Sequence, residues 1–442
     1  MDRGPLFYLV IIFLLILAAC VYAFSPLYAL FIVLGIFVFF ASFKNTDLGL
    51  IIIIAAMIFS PEIQVAKVPN RAVAIRAEDI FLIVVFTSWI VRMAINKELK
   101  LIQSTPLNIP IFIFIGFSLI SSIKGALLGD VGFFKSAFFS LKYIEYFLLF
   151  FMVYNHIRER SQIKIYFGAF VVVFILANIY GYSQIGTGLI STPFEGTPGE
   201  PATYGGYVII VGFVILACAW HIKKIPLRLA LFGTFLFSIP PFLYSLSRAS
   251  YTAMIPAFLA FFTWTRKNKF LLILLLTVAI VMSVLFMPDF VKGRLAQTFV
   301  GEEKWVAGQY WQLEPSASAR IERWNKLLLE KWPKKPLLGY GPGSLFADGQ
   351  YFTFIAENGF IGLFTFVWII MTIFKVCFDN LKILGEDDFA QGLTIGFMSG
   401  LVGLLVHGLT ANTFIIVRIM EPFWFLAAMV LALPKTKGIN VT

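Results

Sequence analysis

Charge is scarce in this chain. Only 13% of its 442 residues are Asp, Glu, Lys or Arg and 60% are hydrophobic, against roughly 25% charged in soluble domains. With a mean hydropathy of +0.88, that balance excludes a soluble globular protein and identifies an integral membrane protein. Cysteine is scarcer still: Cys20, Cys218 and Cys377 lie in or beside apolar runs. An odd number at such positions offers neither a disulfide framework nor metal spacing. The three histidines, His156, His221 and His407, are scattered along the chain, so a histidine metal site is not expected and no cofactor is implied. The first apolar run lacks a small-residue cleavage site followed by a soluble domain, and reads as a retained span. No tandem repeat is visible, which disfavours the repeat-built transporters. The net charge of +11 fits cytoplasmic anchoring and anionic headgroups better than nucleic acid.

Apolar runs long enough to cross roughly 30 Å of hydrocarbon recur along the whole length. They predict an all-α polytopic membrane protein of about fourteen spans: 6–23, 27–43, 47–60, 79–95, 109–126, 138–155, 164–184, 204–221, 228–245, 249–264, 270–288, 351–376, 389–408 and 412–433. Alternate short loops carry Lys44; Lys97 and Lys100; Arg158, Arg160 and Lys164; Lys223, Lys224 and Arg228; Arg266, Lys267 and Lys269; then Lys435 and Lys437. The loop 186–203 has neither Lys nor Arg. The positive-inside rule then predicts a cytoplasmic basic set and cytoplasmic termini. One polar insertion, 289–350, separates the spans of 1–288 from those of 351–442 and is expected to face outward, into the periplasm or extracellular space. ATP and nucleotide sugars are not available there, so an enzyme on that side needs a donor that arrives activated, of which a lipid-linked donor is the obvious kind.

Four outward segments can converge. The first is 61–79, with Arg76 and Asp79; the second is the turn LYSLSRASYTA, with Arg248. The third is FEGTPGEPATYGG, with Glu195 and Glu200, and the fourth is the insertion. Arg248 falls in a very short turn at the membrane surface, where a desolvated cation needs an anion or water. Either a diphosphate or an interfacial snorkelling role suits it. In the insertion, Ile321, Trp324, Leu327, Leu328 and Trp332 recur at helical spacing while Arg320, Arg323 and Lys326 take other positions. This predicts an interfacial amphipathic helix capped near Ser316 or Ser318 and stopped by Pro333, acting either as a phosphate-reaching arm or as a plain lid. Asp348, just before the next span, suits a helix N-cap first and, if held near an acceptor hydroxyl, a general base. Arg418 and Glu421 share one helical face and suit an ion pair or a substrate role. His407 reads as a packed or hydrogen-bonded core histidine.

The ordered set resembles the O-antigen ligase and polysaccharide polymerase superfamily. The residues that carry the likeness are Ser247-Arg248-Ala249, Arg320 to Trp324, Pro336 to Gly341, Asp348 to Tyr351, and Glu357 to Gly362. IRAEDIFLI and GTPGEPATYGG resemble the family's earlier outward loops, so the likeness covers roughly 70–415. It implies a GT-C-type, metal-independent glycosyltransferase using undecaprenyl-diphosphate-linked oligosaccharide, with a chain-length regulator as a possible protein partner. It assigns Arg248 and Arg320 to the donor diphosphate; inversion at the anomeric carbon also needs a base for the acceptor hydroxyl, for which Asp348 is the candidate in this chain. Arg76, Arg323, Tyr351, Glu195, Glu200 and Glu357 follow as substrate-binding candidates. Ligases acting on lipid A-core typically carry His-Asn where this chain has Asp348-Gly349, and an Arg in the loop that here holds Glu195 and Glu200. Both departures favour a polymerase over a ligase. A transporter or flippase of lipid-linked glycan is disfavoured, because the basic residues cluster at one rim rather than at mid-membrane.

Overall fold

The structure, a computed structural model, describes residues 26–68, 71–95, 102–186, 188–195, 199–274, 289–296, 302–306, 309–345 and 347–438. The chain divides into two compact units, 1–101 and 102–442.

In the first unit, helices α1 (Pro26–Lys44) and α2 (Thr46–Phe59) precede a hairpin of β1 (Glu62–Val68) and β2 (Arg71–Arg76), which leads into α3 (Ala77–Ile95). The Asn45 side chain accepts from the Asp47 amide and restarts the helix after a one-residue break. The segments EIQVAKV and RAVAIR pair as antiparallel strands, Glu62 opposite Arg76 and Val68 opposite Arg71. Asp79 accepts from the Arg76 amide at 3.0 Å, closing the first turn of α3.

The second unit holds α4 (Asn108–Leu127), α5 (Phe133–His156), α6 (Arg160–Ser183), α7 (Pro201–His221), α8 (Ile225–Tyr244) and α9 (Arg248–Trp264). The insertion contributes α10 (Asp289–Ala296), a second antiparallel hairpin of β3 (Glu302–Val306) and β4 (Gln309–Leu313), and α11 (Pro315–Lys326). Helices α12 (Gln350–Ile383), α13 (Asp388–His407) and α14 (Val417–Leu431) complete it. The fold is thus all-α and polytopic, apart from the two short hairpins. Among the described residues, eight helices are long and apolar enough to cross a membrane. The spans expected between 27 and 264, and from 351 to 433, each coincide with a helix within a few residues. The run 6–23 lies outside the described residues, and 270–288 is described only as far as 274.

Burial separates the helices. The apolar stretch of α7 is 94% buried, while that of α8 is only 33% buried; α7 is central and α8 peripheral. Helix α13 packs on α7 through Gly392, Gly396 and Gly400. A Cβ at Gly396 would sit 2.5 Å from Val214 Cα, and one at Gly392 would sit 2.7 Å from Cys218 Cα. With no hydrophobic drive between helices in lipid, small residues that let backbones meet supply the contact energy.

The alternation of these helices sorts charge by end. At one end Asp387 pairs with Arg160 at 2.7 Å and with Lys437 at 3.8 Å, while Asp388 pairs with Lys223 at 3.2 Å and with Lys267. Arg248, the 314–352 segment and the 190–193 loop lie at the opposite helix ends. A Gly396→Val variant should separate α7 from α13, lowering stability by about 1–3 kcal/mol; a thermal unfolding curve in detergent would show the midpoint falling by several degrees.

Candidate active site

Helix α12 is not continuous. Gly359 adopts φ 66° and ψ −164°, a backbone region open in practice only to glycine. The break strands backbone groups on both sides, and the 336–341 loop meets them. Phe360 and Ile361 amides donate to the carbonyls of Pro336 and Leu337 at 2.8 and 3.3 Å. Tyr340 and Gly341 amides donate to the carbonyls of Ala356 and Glu357 at 2.9 and 2.8 Å. The Glu357 carboxylate adds a bond from the Gly343 amide at 2.8 Å, and Ser121 of α4 reaches the Glu357 carbonyl at 2.8 Å. Lys335 pairs with Asp130 in the α4–α5 turn. The sequence PLLGYGPG therefore runs as a backbone splint in a broken helix, and Glu357 holds that splint.

Upstream of the splint lies α11. Its N-cap position is Glu314 and Pro315 is its first residue, so the start falls ahead of the Ser316 or Ser318 expected from the sequence. A proline fits the first helical position because the amide it lacks would be orphaned there. The regular helix ends at Lys326, then widens into a π turn over Leu327–Lys331 and a 3-10 turn over Trp332–Lys334. Pro333 thus stops an irregular end and not a straight helix, with Tyr340 Oη donating to the Lys331 carbonyl at 2.9 Å.

Three ion pairs, on two carboxylates, frame α11. Arg248, the first residue of α9 after the Ser247 N-cap, pairs with Glu314; both side chains are 19% exposed. About two turns further on, Arg323 contacts Asp348 at 2.6 Å and Arg320 Nε lies 3.9 Å from the same carboxylate oxygen. Trp324 Nε1 donates to the Asp348 carbonyl at 2.6 Å and its ring stacks on Phe352 at 4.4 Å. Asp348 is consequently not the helix N-cap: Gly349 takes that position, at φ 131°, and α12 begins at Gln350. Arg323 also lines an open groove of about 640 Å³ with Ala319, Glu322, Lys326 and Leu329.

The structure thus sets Arg248 against the start of α11, through Glu314, and Asp348 against Arg320 and Arg323 further along it. It gives other work to the remaining candidates. Tyr351 Oη donates to the Leu405 carbonyl at 2.6 Å, tying α12 to α13. Glu195 accepts from Thr192 through its amide at 3.1 Å and its hydroxyl at 2.6 Å. Glu200 is exposed at the N-cap position of α7. Arg418, fully buried, donates to Thr192 Oγ1 at 3.0 Å and to the Pro193 carbonyl, so it anchors the Glu195 turn from inside. Arg76 belongs to the first unit, where it lies 3.8 Å from Glu78. His407 is the hydrogen-bonded core residue expected. Sequence reasoning missed Glu314, although an acidic residue directly before Pro at a helix start is a legible N-terminal signal.

Residues 233–367 match the model of a protein family described as O-antigen ligase. That stretch holds Arg248, Glu314, Arg320, Arg323, Asp348 and the Gly359 break, and it supports the likeness to the O-antigen ligase and polymerase superfamily. No curated protein matches the chain. Since a Cβ at Gly359 would fall 2.3 Å from the Leu337 carbonyl in a backbone region that already disfavours it, Gly359→Ala should cost roughly 2–4 kcal/mol. Limited proteolysis should then cut within 336–344 faster than in the parent protein.

Proposed function

We propose that this chain, similar over residues 233–367 to the O-antigen ligase family, is a polymerase of surface polysaccharide. It joins undecaprenyl-diphosphate-linked oligosaccharide repeat units into O-antigen or exopolysaccharide at the periplasmic face, by metal-independent, inverting glycosyl transfer of the GT-C type. The observation that carries this reading is the pair of carboxylate-held arginine sets along α11, Arg248 of α9 with Glu314 and Arg320/Arg323 with Asp348. The side assignment is supported by the Asp387/Asp388 end, where Arg160, Lys223, Lys267 and Lys437 gather, because basic residues mark the cytoplasmic side. Asp348-Gly349 in place of His-Asn, and acidic rather than basic residues at 195 and 200, favour polymerase over ligase.

The geometry suggests how transfer would run. A donor diphosphate carries more charge than one carboxylate and offers several oxygens to the planar forks of Arg248, Arg320 and Arg323. It displaces Glu314 and Asp348 from those forks. The freed Asp348 carboxylate accepts the proton of the acceptor hydroxyl, whose oxygen attacks the anomeric carbon from the face opposite the diphosphate. The bond to the diphosphate oxygen breaks, its electron pair stays on that oxygen, and the arginines neutralise the developing charge. Asp348 holding its arginines before binding keeps both partners oriented without leaving cations bare.

Replacing Arg248 with Ala should lower polymer output about 100-fold or more, the loss typical when one charge-stabilising donor is removed. Asp348→Asn should abolish it while leaving lipid-linked donor bound. Both are read on gels of surface polysaccharide from a deletion strain carrying each variant. Single repeats in place of a ladder support the polymerase. Long lipid-linked chains accumulating unattached would instead assign a ligase, and a full ladder from Asp348→Asn would remove Asp348 from the chemistry.

A further inference from the structure

Beneath Arg248 runs a buried chain of hydroxyl and imidazole groups that the proposed chemistry does not use. Ser250 Oγ lies 2.7 Å from Ser247 Oγ and 3.2 Å from His407 Nε2, and His407 Nδ1 lies 2.7 Å from Thr413 Oγ1. A neutral imidazole satisfies every link, donating through one nitrogen and accepting through the other. Ser250, His407 and Thr413 are all 0% exposed, and Gly205 makes room, since a Cβ there would fall 2.0 Å from Ser250 Oγ.

The chain has functional groups at both ends. Ser247 is the N-cap of α9 and the residue directly before Arg248. At the other end, Asn412 Oδ1 accepts from Thr353 Oγ1 at 2.8 Å and the Phe414 amide donates to Gln350 Oε1 at 2.8 Å. The Gln350 amide donates to the Gly408 carbonyl at 2.8 Å, and Asp348 lies two residues before Gln350. The hydrogen-bonded relay ends at Thr413; its chain neighbours Asn412 and Phe414, and Gly408 next to His407, carry the bonds to Thr353 and Gln350. The Arg248 turn on α9, the end of α13 and the Asp348 end of α12 are thus tied together around His407.

We propose that His407 is a positioning residue that sets the Arg248 turn against the Asp348 turn, so that both face one diphosphate at fixed separation. This rests on the diphosphate reading given above. Burying an imidazole is costly unless both nitrogens are partnered, and donors aligned in one direction along a chain strengthen one another. A residue kept only to fill space would not need either nitrogen.

The test uses full-length protein in lipid nanodiscs with farnesyl diphosphate as probe. His407→Met, which fills the space without the bonds, and Ser250→Ala should each weaken binding about tenfold, or about 1.4 kcal/mol. Neither should weaken it further in an Arg248→Ala background, because the relay acts through that turn. Parent-like binding by His407→Met or Ser250→Ala overturns the proposal, as does a loss that persists undiminished without Arg248. If the parent protein does not bind farnesyl diphosphate, the diphosphate reading fails instead. A thermal-unfolding cycle of Ser250→Ala and Thr413→Val then decides the relay. Coupling that vanishes in His407→Met supports it, and simple additivity overturns it.

Discussion

A helix inside a membrane can be interrupted only where other groups meet the backbone it frees. At Gly359 those groups come from one stretch of chain. Because Phe360, Ile361, Ala356 and Glu357 all bond to residues 336–341, the loop cannot shift register without orphaning several buried polar groups at once. The loop in turn fixes what flanks it. On one side it follows the irregular end of α11, through Trp332 Nε1 donating to the Pro336 carbonyl at 3.2 Å. On the other it leads to Asp348 and the start of α12. The positions of the arginines on α11 and of the carboxylate they hold are both measured from this splint.

The ion pairs built on that frame are poised for exchange. The Arg320 and Arg323 side chains are 31% and 52% exposed, and ion pairs with an exposed partner contribute about 0–1 kcal/mol each, so losing them costs the fold little. They matter because they keep guanidinium groups oriented in a region that disfavours bare cations. Arg248 could have been a snorkelling interfacial residue or an anion site; its partner is a protein carboxylate, Glu314. A placeholder anion of that kind is what an incoming diphosphate would replace, and pre-oriented donors need no reorganisation when charge develops.

Much of this was legible in the sequence, and the limits have physical causes. Apolar runs reported the spans because bilayer thickness fixes their length, and helices such as Pro201–His221 and Asp388–His407 fell where expected. Arg248, Arg320, Arg323 and Asp348 stood out because charge is rare in such a chain. The break at Gly359 did not, since the glycine sits in a run as apolar as any span and its demand comes from a loop about twenty residues upstream. Glu314 was hidden because helix-start reasoning favoured the serines, whereas Pro315 fixed the start. The two hairpins were not legible, because strands such as RAVAIR and EEKWV carry no clear alternation of polarity. Glu195, Tyr351 and Glu357 were recognised as polar outliers, but a sequence does not tell a ligand contact from a bond to a neighbouring backbone group.

The shape of α11 limits how a site built on it can move. An α-helix rises about 1.5 Å per residue, so Glu314 and Arg320 are held roughly 9 Å apart along the axis whatever binds. Arg248 is anchored in a different helix, and so the helix can rearrange only as a unit relative to α9. The π turn at Leu327–Lys331 lies where such a movement would pivot; it buries Leu327 against Ala347 and Ala356 and so ties the hinge to the first half of α12. Trp324 stacked on Phe352 is then the contact that holds α11 to α12 once Asp348 lets go of Arg320 and Arg323. On the proposed reading, exchanging carboxylate for diphosphate releases the charge tether and keeps the aromatic one. The arginines stay beside Asp348 while it is free to take a proton.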